Sequence, residues 1–183
     1  MTSTLRTRLA PTPSGLLHPG NGLSFIITWA IARSQGGKIV LRIDDLDKER
    51  YRPNYVADIF RTLEWLGIDY DEGPTSVADF EQNWSQHQRL DHYHQALIQL
   101  KEADHLFPCQ WSRKQIQALS TDGRYPYHQR PQDLSFNDPQ TAWRVVAPHP
   151  AAQVSLQDWQ KGKQDISLAP IDTFVVKCTD LLS

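Results

Sequence analysis

The chain has 183 residues, of which 39% are hydrophobic and 22% are charged, a composition typical of a globular protein. The length allows one domain with a hydrophobic core, or one domain and a small insert. No apolar run is long enough to cross a bilayer, and residues 1–8 are polar and basic, unlike a secretory signal. We therefore expect a cytoplasmic protein with no membrane partner. Its two cysteines, Cys109 and Cys178, are too few for a disulfide framework and are expected to be free thiols.

The net charge of −2 does not indicate nucleic-acid binding, but the charges are unevenly distributed along the chain. Residues 1–43 carry five basic side chains and no acidic ones, whereas residues 44–81 carry eleven acidic side chains against four basic ones. A basic opening can attract an anionic ligand. The alternative is a chance run of charges on solvated faces.

The first elements predicted in chain order form a βαβ unit. Residues 5–10 indicate a short strand, and the prolines and glycines of residues 11–20 predict a loop. Residues 23–32 are apolar almost all round, which predicts a buried helix that ends at Gly36 and Gly37. Residues 38–43 are β-branched and apolar, as in a strand. Such a unit implies two parallel strands joined by a right-handed crossover, with the helix starting at the loop.

The remaining elements are predicted by the same signals. Helical spacing of apolar residues predicts amphipathic helices over residues 54–66 and 89–103, and Ser112 caps a short helix that ends near residue 119. Strands are expected at residues 106–108, 142–146 and 174–177, whereas residues 67–88 and 121–142 are polar and rich in turns. The fold class is therefore α/β, with a parallel sheet led by residues 5–10 and 38–43.

The loop between the first strand and the first helix carries the chemistry. A helix N-terminus offers free N–H groups and the positive end of the helix dipole, which suit a phosphate group. His18 can donate a hydrogen bond to a phosphate oxygen, and Gly20 leaves room for a ligand to approach the backbone. The spacing alone predicts a nucleotide or phosphate loop. The alternative is an ordinary loop that happens to contain one histidine.

The same residues resemble the opening of the glutamyl-tRNA synthetases, which are class I aminoacyl-tRNA synthetases. In that family a strand ending Arg-Phe-Ala-Pro-Ser-Pro-Thr-Gly leads into a His-Ile-Gly-His motif, and here residues 8–15 and 18–21 read Arg-Leu-Ala-Pro-Thr-Pro-Ser-Gly and His-Pro-Gly-Asn. Residues 41–47 resemble the segment that contains Arg-Ile-Glu-Asp-Thr-Asp, and residues 65–68 and 71–74 also fit the family. The Ala-Pro after Arg8 favours the glutamate type, because the glutamine type usually has Pro-Pro-Glu there.

Within the family, the chain most resembles the short paralogues that lack an anticodon-binding domain and attach glutamate to queuosine in tRNA(Asp). The short spacing between motifs and the Cys-Gln-Trp-Ser-Arg segment at residues 109–113 carry this resemblance. The resemblance implies a Rossmann-like parallel sheet, the N-terminal half of a class I catalytic domain, over residues 1–106. It also implies a small insert like a degenerate zinc subdomain over residues 107–142 and an incomplete return segment to the sheet over residues 143–183.

The implied reaction is ATP-dependent activation of L-glutamate, with Mg²⁺, followed by transfer to tRNA, which could be tRNA(Asp). The resemblance assigns glutamate binding to Arg8, Ala10, Thr12 and Asp44, ATP binding to Pro11, Thr12, His18, Gly20 and Asn21, and the catalytic role to His18 and Asn21. Arg8 would hold the side-chain carboxylate of the substrate, for which a planar guanidinium is suited. Asp44 would accept its ammonium group, although the family usually has Glu there. Each assignment has an alternative. Arg8 could be an ordinary surface arginine, Ala10 and Thr12 could belong to a plain turn, and Asp44 could cap a helix or turn.

A zinc site is not expected, because only Cys109 and Tyr125 remain where the zinc subdomain has four ligands. Trp111 and Gln129 occupy the positions of cysteines, and we expect Trp111 to pack there. Asp45 and Asp47 are expected to be structural, capping turns and pairing with Arg42 or Arg50.

The resemblance also implies that residues 1–183 stop before a Tyr, an Arg and a Lys-rich loop of the family's active site. We therefore expect at most trace pyrophosphate exchange from these residues alone, and a complementing C-terminal half is a possible partner. One alternative is a truncated paralogue or gene fragment that binds nucleotide or amino acid without catalysis. Another is a different class I-like nucleotidyltransferase, which residues 10–15 and 42–45 argue against.

Overall fold

The computed structural model describes residues 5–148, 152–158 and 160–178. The helices are α1 (Pro19–Ser34), α2 (Pro53–Trp65), α3 (Val77–Asp79), α4 (Leu90–Glu102) and α5 (Arg113–Leu119). The strands are β1 (Arg6–Leu9), β2 (Lys38–Leu41), β3 (Leu106–Cys109), β4 (Ala142–Val145), β5 (Gln153–Asp158), β6 (Gly162–Ser167) and β7 (Val175–Lys177). A π-helical turn (Phe80–Trp84) and two 3₁₀ turns (Gln86–Arg89 and Tyr127–Gln129) complete the elements. The chain divides into two compact units, Met1–Tyr93 and His94–Ser183.

The first unit contains the predicted βαβ arrangement. β1 and β2 are parallel, in register from Arg6 opposite Lys38 to Leu9 opposite Leu41, and α1 connects them. Beyond β2, Glu72 forms an isolated parallel bridge with Val40. The α/β class and the parallel pair are therefore confirmed, as is the start of the first helix at the loop.

The two faces of this small sheet differ in chemistry, because successive residues of a strand point to opposite faces. Leu9, Ile39 and Leu41 lie on one face, are at most 1% exposed, and form a core with α1 and α2. Arg6, Arg8 and Lys38 alternate with them on the opposite, exposed face. The sheet therefore presents an apolar face to its helices and a basic face on the other side.

The burial predicted for the first helix is wrong. Only Phe25 and Ala32 of α1 are buried, whereas Leu23, Ile26 and Ile27 are 60%, 41% and 50% exposed. A helix on one face of a sheet buries one stripe of side chains, so an all-round apolar composition does not guarantee all-round burial. The amphipathic prediction for α2 is confirmed, since its buried residues are Val56, Ile59 and Leu63.

The second unit contains antiparallel strands. β3 pairs with β4, and β4 pairs with β7, so the three strands predicted near residues 106, 142 and 174 form one sheet in the order β3-β4-β7. Within this unit β4 is the central strand and pairs with both β3 and β7. The expected return of residues 143–183 to the first sheet stays a prediction. The hairpin β5–β6 was not predicted from the sequence. The predicted boundaries at residues 106 and 142 remain predictions, and the division between the compact units lies at Tyr93.

An aromatic cluster lies in the second unit where the sequence resembles a zinc subdomain. The ring of Trp111 packs against Tyr125 at a centroid distance of 5.5 Å, as predicted for that tryptophan. Cys109 is buried, and its Sγ accepts a hydrogen bond from the Tyr125 hydroxyl at 3.3 Å. In the described ranges, no group of three or more His, Cys, Asp or Glu side chains could hold a metal ion. Of the helices in those ranges, none is long and apolar enough to cross a membrane.

Candidate active site

A cleft of about 520 Å³ lies where β1 ends and α1 begins. Six of the eight predicted site residues line it: Arg8, Ala10, Pro11, Thr12, His18 and Asn21. Gly20 and Asp44 are not among its lining residues. The structure therefore brings most of the predicted site together around one cavity of the first unit.

Sequence reasoning missed three further polar residues of this cleft, Ser14, Ser24 and Thr28. Ser24 and Thr28 follow Asn21 at intervals of three and four residues, so they share one side of α1. These polar residues on an otherwise apolar stretch of helix could have indicated from the sequence which side of α1 faces the cleft.

Backbone hydrogen bonds hold the loop of the cleft in place. The amide of Asp44 donates to the carbonyl of Pro11 at 2.9 Å, and the amide of Arg42 donates to the carbonyl of Leu9 at 2.9 Å. These bonds extend the parallel ladder of β1 and β2 into the loop. Farther along, the amide of Leu17 donates to a carboxylate oxygen of Asp58 on α2 at 3.0 Å. The cleft wall is therefore fixed by the sheet and by a second helix.

His18 caps α1 and makes a reciprocal pair of hydrogen bonds with its first turn. Its Nδ1 accepts from the amide of Gly20 at 3.1 Å, and its own amide donates to Oδ1 of Asn21 at 3.1 Å. Since Nδ1 is an acceptor, the neutral ring carries its proton on Nε2. The remaining side-chain donors of this pair are thus Nε2 of His18 and Nδ2 of Asn21.

The first turn of α1 does not offer the free amides that the sequence led us to expect. The amides of Asn21 and Gly22 donate to the carbonyl of His18 at 2.9 Å and 3.3 Å, Gly20 donates to the imidazole, and Pro19 has no amide hydrogen. A Cβ added at Gly20 would lie 2.9 Å from the imidazole of His18, so the glycine makes room for that ring. The helix dipole and the side-chain donors remain available to an anion.

Arg8 lies on the exposed basic face of the sheet and lines two clefts, the one described above and a second of about 610 Å³. On the same face, Arg6 forms an ion pair with Glu72 and Arg42 forms one with Asp44. Among the described residues, Arg8 makes no ion pair or hydrogen bond through its guanidinium. Its charge is therefore available to a ligand carboxylate.

Asp44 is held by two neighbouring side chains. Nε and Nη2 of Arg42 donate to its two carboxylate oxygens at 2.6 Å and 2.8 Å, and Nε2 of Gln86 donates to Oδ1 at 3.1 Å. The hydrogen bond to Asp44 raises the pKa of the Arg42 guanidinium above its ordinary value. Of the two partners expected for Asp45 and Asp47, Arg42 pairs with Asp44 instead, whereas Arg50 pairs with Asp47 as predicted.

The two following aspartates are structural, as expected. Asp45 is only 4% exposed and accepts from the Ser85 hydroxyl at 2.5 Å and from the Gln86 amide at 2.8 Å. Asp47 forms an exposed ion pair with Arg50 at 3.3 Å. The segment after β2 thus contains one buried anchor, Asp45, beside the partly exposed Asp44.

Comparison with known proteins places this geometry in a family. The family profile described as tRNA synthetases class I (E and Q), catalytic domain, matches residues 4–142. The chain is 43% identical over 119 residues to the glutamate–tRNA ligase of Albidiferax ferrireducens, and 41% identical over 114 residues to the glutamyl-Q tRNA(Asp) synthetase of Symbiobacterium thermophilum. These alignments cover 65% and 62% of the chain but only 24% and 35% of the two relatives.

Two crystal structures share the fold over 98% of the chain and about 40% of their own lengths. The glutamate tRNA ligase of Elizabethkingia meningosepticum, in complex with its amino acid, has a TM-score of 0.73 at 22% identity. The glutamate-tRNA synthetase of Elizabethkingia anophelis has a TM-score of 0.75 at 24% identity. At such identities the likeness concerns the fold alone. Since the family profile spans more than half of the sequence, the chain belongs to the class I tRNA synthetases (E and Q), within their catalytic domain.

Proposed function

We propose that the chain is part of an enzyme that activates L-glutamate with ATP and then transfers it to tRNA. The observation that carries the proposal is Arg8, whose guanidinium has no described protein partner and lines the cleft that also contains His18 and Asn21. A site of this kind offers one cation to a substrate carboxylate and neutral donors to phosphate oxygens. Membership of the family supports the same reading.

In the proposed reaction, an oxygen of the glutamate α-carboxylate attacks the α-phosphorus of ATP. A new P–O bond forms, and the bond to the leaving pyrophosphate breaks, giving glutamyl-adenylate. A hydroxyl of the RNA then takes the glutamyl group and releases AMP. Because no covalent enzyme intermediate is required, the protein contributes mainly by positioning the reactants and stabilising phosphate charge.

The proposed roles follow from the donors of the cleft. Nε2 of His18 and Nδ2 of Asn21 donate to phosphate oxygens, and Mg²⁺ enters with ATP as part of the substrate. The adenosine lies beside Gly20, and the loop residues Pro11 and Thr12 flank the nucleotide. These assignments combine the cleft geometry with the family resemblance.

The amino acid is proposed to lie between Arg8 and Asp44. Arg8 receives the side-chain carboxylate, and Ala10 and Thr12 line the pocket. Asp44 receives the ammonium group through the capacity that its hydrogen bonds with Arg42 and Gln86 leave unused. This arrangement favours glutamate over glutamine, because a neutral amide leaves the charge of Arg8 uncompensated.

The test is calorimetry with two stable adenylate analogues, one carrying a glutamyl and the other a glutaminyl side chain. We expect the glutamyl analogue to bind more tightly by about 1.5–3 kcal/mol, the range for a hydrogen bond to a charged group. Equal affinity for both analogues, or no binding of either, would contradict the proposal. Binding of ATP without either analogue would favour the non-catalytic nucleotide-binding alternative.

The acceptor proposed for the full activity is tRNA, with queuosine-containing tRNA(Asp) as the finer proposal. The similarity to a glutamyl-Q tRNA(Asp) synthetase and the short spacing between motifs support it. The chain spans only 24% to 35% of the two curated relatives, so we propose that the activity also uses a segment supplied by the same or another polypeptide. Zinc is not part of the proposal, and we propose a cytoplasmic reaction. Glutamylation of tRNA(Glu) but not of tRNA(Asp) by the complete enzyme would contradict the finer proposal.

A further inference from the structure

We propose that Arg42 and Gln86 are positioning residues, which hold Asp44 so that it receives the amino group of the substrate and make the site selective for an anionic amino acid. This inference rests on the proposed function and deepens it. It concerns two residues that the resemblance does not assign and that act through Asp44.

Arg42 and Asp44 share one face of the extended chain after β2, because they are two residues apart. The arginine fork contacts both carboxylate oxygens, at 2.6 Å and 2.8 Å, which fixes the carboxylate plane as well as its position. The side chains are 40% and 27% exposed, so the pair is partly shielded and still accessible to a ligand.

Gln86 ties the same carboxylate to a buried anchor. Its side-chain amide donates to Asp44 at 3.1 Å, while its backbone amide donates to Asp45 at 2.8 Å. Ser85 is 7% exposed and donates its hydroxyl to the other oxygen of Asp45, and Nε2 of His87 lies 3.0 Å from the Asp45 carbonyl oxygen. Gln86 cannot shift without disturbing these contacts, so it is a rigid support for Asp44.

The hydrogen bonds leave Asp44 able to accept one more donor. A carboxylate offers about four acceptor positions. Two are used on Oδ1, by Arg42 and Gln86, and one on Oδ2, by Arg42. The open position is therefore on Oδ2, where an N–H of a substrate ammonium can donate.

Arg42 also contributes to the charge of the site, as do Arg8 and Arg89, which line the second cleft with it. Together, Arg8, Arg42 and Asp44 carry one net positive charge, whereas Arg8 and Asp44 alone would be neutral. Glutamate, with two carboxylates and one ammonium, carries one net negative charge at neutral pH. Glutamine carries none. The positive charge of Arg42 therefore complements glutamate and not glutamine. Arg42 thus contributes to substrate specificity as well as to the position of Asp44.

The test measures the affinities of the glutamyl- and glutaminyl-adenylate analogues and of ATP for four variants. Arg42→Ala and Gln86→Glu are expected to weaken the glutamyl analogue about tenfold or more and to leave ATP affinity within about twofold. Gln86→Ala, which removes one neutral hydrogen bond, should weaken the glutamyl analogue only a few-fold, about threefold. The matched control is Arg61→Ala, because Arg61 also pairs with an aspartate, Asp58, at 3.3 Å but lies on α2 and lines neither cleft. The control should change no affinity.

A mutant cycle with Asp44→Asn separates positioning from a direct contact. If Arg42 acts through Asp44, Arg42→Ala should have little further effect in the Asp44→Asn background. Should Arg42→Ala fail to fold, Arg42→Lys provides a second variant, because lysine keeps the charge without the guanidinium fork. It should lose an intermediate amount of affinity for the glutamyl analogue and should still prefer the glutamyl analogue over the glutaminyl analogue.

The outcomes distinguish this inference from the proposed function. If the wild-type chain binds neither adenylate analogue, the proposed function fails and the inference fails with it. If the wild type binds the glutamyl analogue but Arg42→Ala and Gln86→Glu leave its affinity unchanged, or weaken ATP equally, only the inference is overturned. A fully additive cycle between Arg42 and Asp44 also overturns it.

Discussion

At the scale of single residues, His18 caps α1 and is proposed to bind ATP, and two substitutions separate the observed role from the proposed one. Its Nδ1 caps α1, while its Nε2 is the donor proposed for ATP. Asparagine is among the best helix-capping residues, so His18→Asn should retain the unfolding free energy, whereas His18→Ala should lose about 0.5–2 kcal/mol. Both should weaken ATP binding, since both lack the imidazole. Urea unfolding and ATP calorimetry measure the two effects, and unchanged ATP affinity in His18→Asn would remove the imidazole from the site.

Arg8 and Arg6 provide a second comparison at this scale, because they lie two residues apart on the same face of β1. Arg6 is paired with Glu72, whereas Arg8 lines both clefts without a described protein partner. Arg8→Ala should therefore weaken the glutamyl-adenylate analogue by about 2–5 kcal/mol, the cost of removing a partner from a desolvated charge. Arg6→Ala should have little effect on that affinity. Calorimetry of both variants checks this, and equal losses would indicate a general effect of basic charge.

Sequence reasoning found the residues of the cleft more readily than their partners. The order Arg8 to Asn21 predicted the loop, because prolines and glycines mark a loop whatever surrounds it. The partner of Arg42 was missed, although strand geometry favours Asp44, two residues away, over Asp45 on the opposite face. Gly20 was expected to leave room for a ligand, but the space beside it holds the imidazole of His18.

At the scale of elements, Gly73 is required where the chain runs beside β2. Its φ is +135°, and a Cβ there would lie 2.5 Å from the carbonyl oxygen of Leu41. Gly67 also has a positive φ, of +66°, but nothing lies within 4 Å of its added Cβ. Gly67→Ala should therefore cost about 1–2 kcal/mol for the backbone conformation alone. Gly73→Ala should cost about 3 kcal/mol, because a steric clash adds to that strain. Urea unfolding of both variants measures the difference, and equal costs would contradict the close approach.

A charged network links α1 to β2 and gives the first unit a pH dependence. Hydrogen bonds from Trp29 and then Arg33 lower the pKa of Asp69. Hydrogen bonds from the Ile39 amide and then Arg33 lower the pKa of Asp71. Since the folded-state pKa values are depressed, the unfolded chain binds protons first as the pH falls. The stabilisation is present above about pH 4, the ordinary aspartate value, and is lost as the pH falls through the folded values.

The double variant Asp69→Asn with Asp71→Asn tests this network. At neutral pH it should unfold more easily than the wild type. The difference in unfolding free energy should begin to narrow below about pH 4, where the unfolded wild-type chain binds protons, and should be smallest once the pH has fallen through the lower folded-state pKa values, where the folded aspartates are uncharged too. Urea unfolding between neutral and acidic pH measures the gap. The ion pair of Arg61 with Asp58 serves as control: the Arg61 side chain is 71% exposed, so Arg61→Ala should change stability little at any pH. A gap that stays constant with pH would show that the two carboxylates are not stabilised by their charge.

Elements with strong local signals were predictable, and those that depend on their neighbours were not. The βαβ unit, α2 and the Ser112 cap of α5 each have their own periodicity or capping residue. The hairpin β5–β6 was missed although Val154 and Leu156 alternate with polar residues as in a strand. Its strands contain few apolar residues, and Val154, Leu156 and Ile166 are 39% to 45% exposed, so no buried face marked the segment. The burial of α1 depends on how many secondary-structure elements pack against it, and the composition of the helix does not indicate that number.

At the scale of the whole molecule, the family was identifiable from sequence because its motifs occur in order along the chain, and the family profile agrees over residues 4–142. The division into two compact units was not predicted at its observed position. It lies at Tyr93, inside α4, and a continuous amphipathic helix gives no sign of such a division. Each unit has its own hydrophobic cluster, so the stability of the second unit can be considered separately.

The last prediction is that the second unit is stable without zinc, because an aromatic cluster holds the part that resembles a zinc subdomain. Phe107, Cys109 and Tyr125 are its buried centre, and Trp111 packs against Tyr125. The guanidinium of Arg144 lies 4.6 Å from the Tyr125 ring centre, a favourable cation–π contact. Tyr125→Ala should therefore cost about 3–5 kcal/mol, as for other large buried aromatic residues. A chelator should not change the unfolding transition of the wild type, and elemental analysis should find well under one zinc per chain. One equivalent of zinc, lost together with stability on chelation, would show that a metal and not the aromatic cluster organises this unit.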